Sequence, residues 1–443
     1  MTSPRRRPQV QPKSTDASID WHLERLSTLR NQEVTQVVVD PRSSRRFVPL
    51  LLVPLALAGL VAAVISATAA SNAAIPTSKL VVMVLPKAEL GRAAAPLELD
   101  ASSSGVYGNG KAADDSIDPN ETAASLARAG RLTGYELSYG KPKLEIGTEV
   151  DLFRGSAAAS ANMAKRLRDL RRFEGKVVKG VKLERVQTFA VPKLGDKAVG
   201  TRLAASVGSK RVWGTSIRFR LGALEGSARV ERSDAADVSA RTIQLALALE
   251  HRMRGVLAAT IYAPDLSRAV LSTHDLPRGA FASSAYVPVK DTLATYERRF
   301  LLEPPNKKLR GGSRLDVLES DVSLYASTRE ADQALLNMEG VISHARSKAF
   351  HDFLEEVFFG RVVGAVPPSF TVLRNREIPI GDGARGVDIL IGTRGLGRFE
   401  GAFVFARVGR LVGFLASDGK GNRINASDVE QLTRRMIERM RSV

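Results

Sequence analysis

The feature that most constrains this chain is a diverged internal duplication. Arg407-Val408-Gly409-Arg410-Leu411-Val412-Gly413 follows Arg220-Leu221-Gly222-Ala223-Leu224-Glu225-Gly226 at an offset of 187, with Arg, Gly, Leu and Gly coinciding. At that offset Gly401 meets Gly214, Leu432 meets Leu245, and Glu438-Arg439-Met440-Arg441 meets His251-Arg252-Met253-Arg254. Ile380-Gly381-Asp382-Gly383-Ala384 matches Leu194-Gly195-Asp196-Lys197-Ala198 at offset 186, and Val322-Ser323-Leu324-Tyr325 matches Val150-Asp151-Leu152-Phe153 at offset 172. Matches in one order at nearly constant spacing mark tandem units. The step in offset predicts about fourteen extra residues in the second copy, within the stretch Phe350 to Phe359. Each copy is read as opening with a Leu-Pro pair, Leu85-Pro86 and Leu276-Pro277. Copy one then runs about 77–262 and copy two about 265–443.

Within each copy the apolar spacing changes period. In copy two, Arg314 to Tyr325 alternates apolar and polar residues, as a strand does, and Thr328 opens a stretch with Ala331, Ala334, Leu335, Met338, Val341 and Ile342 at helical spacing. Phe370 to Leu373, Val387 to Ile391, Ala402 to Val408 and Leu411 to Ala416 follow as strands, the last two joined through Gly409-Arg410. Ser427 caps a closing helix from Asp428 to Arg441. Copy one repeats the order, with its first helix at Ser156 to Phe173 and its last at Asp237 to Leu257. The order β-α-β-β-β-β-α predicts α+β architecture, two tandem homologous domains, each an antiparallel sheet with helices packed on one face. The first parts, 87–140 and 278–310, read as loop-rich with some helix.

A second feature gives an address. Phe47 to Ala70 is 24 residues without a charge, preceded by Arg45 and Arg46. About 20 apolar residues cross a bilayer core. Residues 1–46 hold nine basic and five acidic residues, so they form a basic arm, largely disordered, with one short amphipathic stripe at Ile19, Leu23, Leu26 and Leu29. Basic flanks stay cytoplasmic. The expectation is a single-pass protein of the cell membrane: arm inside, transmembrane helix 47–70, both copies extracytoplasmic. A cleaved signal peptide is the rival; the 46-residue leader and the length of the run weigh against it.

Composition narrows the chemistry. No cysteine occurs, so disulfides, thiolate metal sites and cysteine nucleophiles are excluded. The formal net charge is +18, which favours anionic partners. The words Gly-Asp-x-Ala (Gly195 to Ala198, Gly381 to Ala384) and Arg-x-Gly-x-Leu (Arg220 to Leu224, Arg407 to Leu411) resemble those of uncharacterised duplicated envelope proteins of actinobacterial type, and the element order is similar to small lipoprotein and kinase-sensor domains of such envelopes. The resemblance implies binding or sensing in the cell envelope and brings no catalytic residues.

Motif searches return little chemistry. Gly105 to Ala112 approaches a phosphate loop, but Ala112 stands where Ser or Thr must hold the metal. Asp114, Asp115, Asp118 and Glu121 lack calcium-loop spacing, and Asp418 to Asn422 has Arg423 where the loop needs glycine. The five histidines form no metal pair, and no nucleophile elbow is present. Arg220 and Arg407, at the same hairpin position in both copies, are the candidate binding residues for an anion. The expectation is a binding, sensing or interaction module without catalytic activity, cofactor or metal. Its partners are the membrane and an anionic envelope polymer, a lipid or another envelope protein, with no nucleic acid. The alternatives are an envelope hydrolase on an anionic polymer with its site between the repeats, and a structural subunit of a membrane complex.

Overall fold

The computed structural model describes residues 75–234, 237–277, 280–302, 309, 317–343, 369–393, 397–420 and 425–443. The arm and the apolar run lie outside the described residues, as does the stretch Phe350 to Phe359. Among the described residues no helix is long and apolar enough to cross a membrane.

Two antiparallel sheets carry the chain. After helix α1 (Thr77–Met83), the first sheet takes β1 (Glu98–Leu99), β2 (Gly105–Val106), β3 (Arg131–Lys141) and β4 (Leu144–Phe153). Helices α2 (Asn109–Asp114) and α3 (Ala123–Arg128) lie between β2 and β3. Helix α4 (Ser156–Phe173) follows, then β5 (Val177–Val178), β6 (Val181–Phe189), β7 (Lys197–Val207), β8 (Lys210–Leu221), β9 (Leu224–Arg232) and α5 (Ser239–Leu257). The strand order is β1-β3-β4-β9-β8-β7-β6-β5, with β2 also on β3. The second unit runs α6 (Leu266–Ala269), β10 (Ala280–Tyr286), β11 (Ala294–Leu302), β12 (Val317–Leu324), α7 (Thr328–Ser343), β13 (Ser369–Ile378), β14 (Ala384–Thr393), β15 (Gly397–Val408), β16 (Leu411–Lys420) and α8 (Ala426–Arg441). Its order is β10-β11-β12-β16-β15-β14-β13. Strip the short outer strands and both sheets share one topology.

The registers fix which residues correspond. Val150 stands opposite Gly226 in the first sheet, and Val322 opposite Gly413 in the second. Tyr135 stands opposite Val150, and Tyr296 opposite Val322. The opening segments correspond too. The Leu85 N–H donates to Thr148 Oγ1 at 3.2 Å, and the Leu271 N–H donates to Ser320 Oγ at 3.1 Å. Arg252 pairs with Glu89 at 2.5 Å, and Arg439 with Asp275 at 2.9 Å. The counterpart of Leu85 is therefore Leu271, not Leu276: the Leu-Pro pairing is out of step, because proline recurs at turns without marking equivalent positions. The stretches expected to be loop-rich, 87–140 and 278–310, also hold long strands, β3 and β11. Their apolar and polar residues mix because both faces of these strands are covered.

The helices do not share one face, which corrects the sequence-based expectation. A β-carbon on Gly226 would lie 2.9 Å from Met253 of α5, while the next residue back, Glu225, accepts a hydrogen bond from Asn162 of α4 at 2.8 Å. Successive strand residues point to opposite faces, so α5 and α4 flank the sheet. In the second unit a β-carbon on Gly413 would lie 2.9 Å from Met440 of α8, while Val412 packs with Ala331 and Ala334 of α7. An apolar stripe on a helix states that the helix is covered, not which side of a sheet covers it. The inner faces of both sheets, with α1, α5, α6 and α8, join in one apolar core. Helix α1 sits deep within it: Leu80, Met83 and Leu85 are fully buried, and α1 touches β3, β4, α5 and also β11 of the other sheet.

Candidate functional site

The two arginines singled out by the repeat are built into a corner. The Asp196 N–H donates to the Arg220 carbonyl at 2.7 Å, and Asp196 Oδ2 accepts from the Gly222 N–H at 2.9 Å. The Arg220 guanidinium closes the loop at 3.2 Å from the same carboxylate. In the second unit Asp382 N–H donates to the Arg407 carbonyl at 2.9 Å, Asp382 Oδ2 accepts from the Gly409 N–H at 2.7 Å, and Arg407 lies 3.4 Å from Asp382 and 2.7 Å from Asp332. Both words of the repeated pattern thus meet. They staple the connection before β7 or β14 to the hairpin that follows β8 or β15. Gly195 (φ +53°) and Gly381 (φ +70°) precede the aspartates in left-handed backbone, each packed on the partner arginine's carbonyl oxygen. Arg220 and Arg407 already have carboxylate partners, and their recurrence follows from a structural job done twice.

The acidic cluster and the glycine loop are tied down locally, while Gly421 and Asn422 of the candidate loop Asp418 to Asn422 lie outside the described residues. Lys165 pairs with Asp118 at 3.7 Å, Glu121 at 2.9 Å and Asp169 at 2.7 Å. Thr122, rather than Asp118 or Asn120, caps α3. Gly108 to Ala112 enters α2, and Lys111 donates to the Ser102 carbonyl at 3.1 Å.

A different group stands out. On the face of the first sheet beneath α4, β4 presents Glu149 and Asp151, with Glu136 of β3 opposite Glu149 and Glu225 of β9 opposite Asp151. All four carboxylates are buried. Arg131 of β3, fully buried, lies 2.5 Å from Asp151. Arg218 of β8 lies 2.8 Å from Glu225 and 3.5 Å from Glu149. Arg229 of β9 lies 2.5 Å from Glu136. Arg166 of α4 approaches Asp151 at 3.9 Å, and its Nε and Nη2 find no hydrogen-bond acceptor among the described residues. Arg131 also donates to the Tyr107 carbonyl at 2.7 Å and to Asn109 Oδ1 at 2.9 Å, tying the segment before α2 to this face.

Position by position, the second unit removes the cations of this face. Arg166, Arg218, Glu225, Ser227 and Arg229 are replaced at equivalent positions by Met338, Phe405, Val412, Phe414 and Ala416. Two acids persist: Glu136 and Glu149 correspond to Glu297 and Asp321. With Glu319, these form a buried group of three carboxylates whose oxygens lie within 4.8 Å of one another, a spacing compatible with a hard cation. Sequence reading missed the charged face because Glu145, Gly147, Glu149 and Asp151 alternate with Ile146, Thr148, Val150 and Leu152, the pattern of a solvent-facing side. The signal lay in the duplicate, where the same face turns apolar and must be covered.

Charge crowding sets the protonation of the face. Burial and the neighbouring Glu149 push Asp151 up to about 7, against Arg131 and Arg166. Burial alone would raise Glu149 too, but Arg218, Arg166 and Arg131 outweigh it and hold that group down at about 2. Burial pushes Glu136 up to about 7, against Arg229. Glu149 Oε1 and Asp151 Oδ2 have no donor among the described residues; a proton on Asp151 supplies one. A group whose folded pKa is raised binds more protons folded than unfolded, so its stabilisation is complete in acid and is lost as pH rises through the folded value. Asp151 and Glu136 therefore make stability fall between about pH 4 and 7, by up to ~1.4 kcal/mol per pH unit for each proton. Glu149 acts oppositely, but only toward pH 2. Thermal melts across this range should show Asp151→Asn with a clearly shallower decline than the wild-type chain.

Comparison with known proteins gives no family. No family model matches the sequence, and no curated protein matches it. Among solved structures, the extracellular domain of PknH from Mycobacterium tuberculosis aligns over 41% of this chain and 97% of its own, at 11% identity and TM-score 0.28. The apo immunity protein TplEi of the T6SS from Pseudomonas aeruginosa aligns over 67% of this chain and 91% of its own, at 12% identity and TM-score 0.25. At these scores the alignments carry no functional argument.

Proposed function

We propose that this chain is a single-pass, membrane-anchored module of the cell envelope whose extracytoplasmic part binds or senses a ligand. It acts without catalysis, the charged face of the first unit is its recognition surface, and the second unit serves as scaffold. One observation carries the assignment of the face: in the second unit of the same topology Arg166, Arg218, Arg229 and Glu225 give way to Met338, Phe405, Ala416 and Val412, while among the described residues carboxylates remain only at Glu297, Glu319 and Asp321. Buried charges cost several kcal/mol to desolvate and add little net stability over apolar packing. The second unit demonstrates that the fold accommodates the cheaper solution, so the retained charges in the first have a use. The chain's positive charge favours an anionic ligand. The 24-residue apolar run and its basic flank support the anchoring.

Arg166→Met installs the residue that the second unit carries at this position. The variant should fold with lowered stability, since Glu149, Glu225 and Asp151 lose a countercharge, and its titration is read against its own unliganded melting temperature. The full-length parent should be stabilised by poly(glycerol phosphate) in a thermal-shift titration, by up to ~2.7 kcal/mol at a hundred times Kd, and the variant should not. A parent chain that does not respond to this polymer, or a variant that responds equally, removes the anionic polymer from this face.

A second reading has one observation in its favour. Glu149 and Asp151 are adjacent carboxyls with ionisation pushed apart, an arrangement that acid–base enzymes use. It places a hydrolase site inside the first unit rather than between the units. Turnover of an anionic polymer by the parent chain, abolished in Asp151→Asn, would favour it.

A further inference from the structure

The far end of the first sheet carries a surface unrelated to the charged face. Two tight turns lie side by side there: Lys179-Gly180 between β5 and β6, and Gly208-Ser209 between β7 and β8. Val178, Val181, Val207 and Lys210 form one cross-strand row, and Val177, Lys182, Ser206 and Arg211 form the next. Val177 is 67% exposed and Val207 52% exposed. Lys176, Lys179, Lys182, Lys210 and Arg211, all exposed, surround them. Arg211 is answered by Glu184, and Lys179 donates to backbone carbonyls of Ala113 and Asp114. Lys182 and Lys210 make no ion pair among the described residues.

We propose that this paired-hairpin tip docks end-on at an anionic bilayer surface, Val177 and Val207, which successive rows direct to opposite faces of the sheet, both entering the headgroup layer and the lysines meeting lipid phosphates. Charge complementarity selects an anionic partner. The valines select a bilayer over a soluble polyanion: a flexible polyanion neutralises lysines but leaves Val177 and Val207 in water, whereas an interfacial layer takes up both. Leu373 (50% exposed) lies on β13 of the other sheet, away from this tip, and Phe281 and Leu301 form a separate exposed apolar pair across β10 and β11 without the ring of lysines.

The chain has no cysteine, so a single Ser209→Cys in the β7–β8 turn can carry an environment-sensitive fluorophore and leave both valines in place. The labelled full-length protein is reconstituted into vesicles of phosphatidylcholine, with or without roughly 30% phosphatidylglycerol. The label should shift to the blue and be quenched by brominated lipid only in the anionic vesicles, and the effect should disappear near 0.5 M salt, where screening is within a few ångströms. A label at Leu373→Cys should not respond. Lys182→Glu with Lys210→Glu should reduce the docked-to-undocked ratio by about twentyfold or more, with the thermal melt unchanged; Val177→Ser with Val207→Ser should reduce it without altering its salt dependence. No response at position 209, an equal response at position 373, or an equal response in neutral vesicles would overturn the proposal. Displacement by soluble glycerol phosphate would overturn the bilayer in favour of a small-anion site. None of these outcomes depends on Arg166 or its ligand.

Discussion

Arg131→Met should cost the protein about 3–5 kcal/mol at pH 8 and only about 1–2 kcal/mol near pH 5.5. Arg131 is 1% exposed, and its partner Asp151 is wholly buried. Removing the cation leaves a carboxylate in the interior with Arg166 at 3.9 Å as its nearest remaining countercharge. The carboxyl answers by holding its proton to higher pH than its present value of about 7. Below that value Asp151 is neutral in parent and variant alike, so the loss is confined to the guanidinium's hydrogen bonds to Asp151, Tyr107 and Asn109 and its share in holding Glu149 ionised. Above it the variant has the full charge imbalance to bear. The diagnostic is thus the growth of the difference with pH, measured by denaturant unfolding at several pH values. A penalty independent of pH would mean that Arg131 acts by packing alone. Adding Asp151→Asn to Arg131→Met should recover much of the loss at pH 8, since no ionisable group is then stranded.

Gly195→Ala should be the most damaging methyl group that can be added at a turn of the first unit, costing about 3 kcal/mol or more. Gly195 has φ +53° and sits against the Arg220 carbonyl oxygen. Left-handed backbone alone costs a non-glycine residue about 1–2 kcal/mol. The β-carbon then collides with main chain, which cannot rotate away as a side chain could, and the shift that relieves it opens the bond from Asp196 N–H to the same carbonyl. Gly222→Ala is the matched control: φ +62°, with nothing within 4 Å of the added carbon. It should cost only the backbone term, about 1–2 kcal/mol. Thermal melts of the two variants separate strain from collision; equal losses would show that the corner relaxes freely. Gly381→Ala, whose added carbon would lie 2.8 Å from the Arg407 carbonyl oxygen, should behave like Gly195→Ala in the second unit.

Much of the architecture was legible from residues. The order of one strand, helix, four strands and helix is present in both units, the first adding the two-residue β5, and α4 begins and ends where Ser156 and Phe173 predict. The reason is period: α7 and α8 each bury one stripe, and β12, β15 and β16 lie between tight turns. Strands β3 and β11 were not legible, because Arg131, Glu136 and Ser138, all buried, look like surface residues in isolation. The layer arrangement was not legible either. A helix that covers salt bridges, as α4 does over Asp151 and Glu225, leaves no apolar signature on the strand beneath it. The repeated Arg220 and Arg407 drew notice for ligand chemistry, yet recurrence reported the geometry of a corner. The charged face left a mark only as a difference between copies, where Arg218 gives way to Phe405 and Arg229 to Ala416.

Helix α1 has a mechanical consequence. The first helix among the described residues is a keystone gripped by β3, β4, α5 and β11. A pull on the segment leading into Thr77 would therefore be felt by both sheets at once, and the two halves would resist or give way together rather than peel apart in sequence.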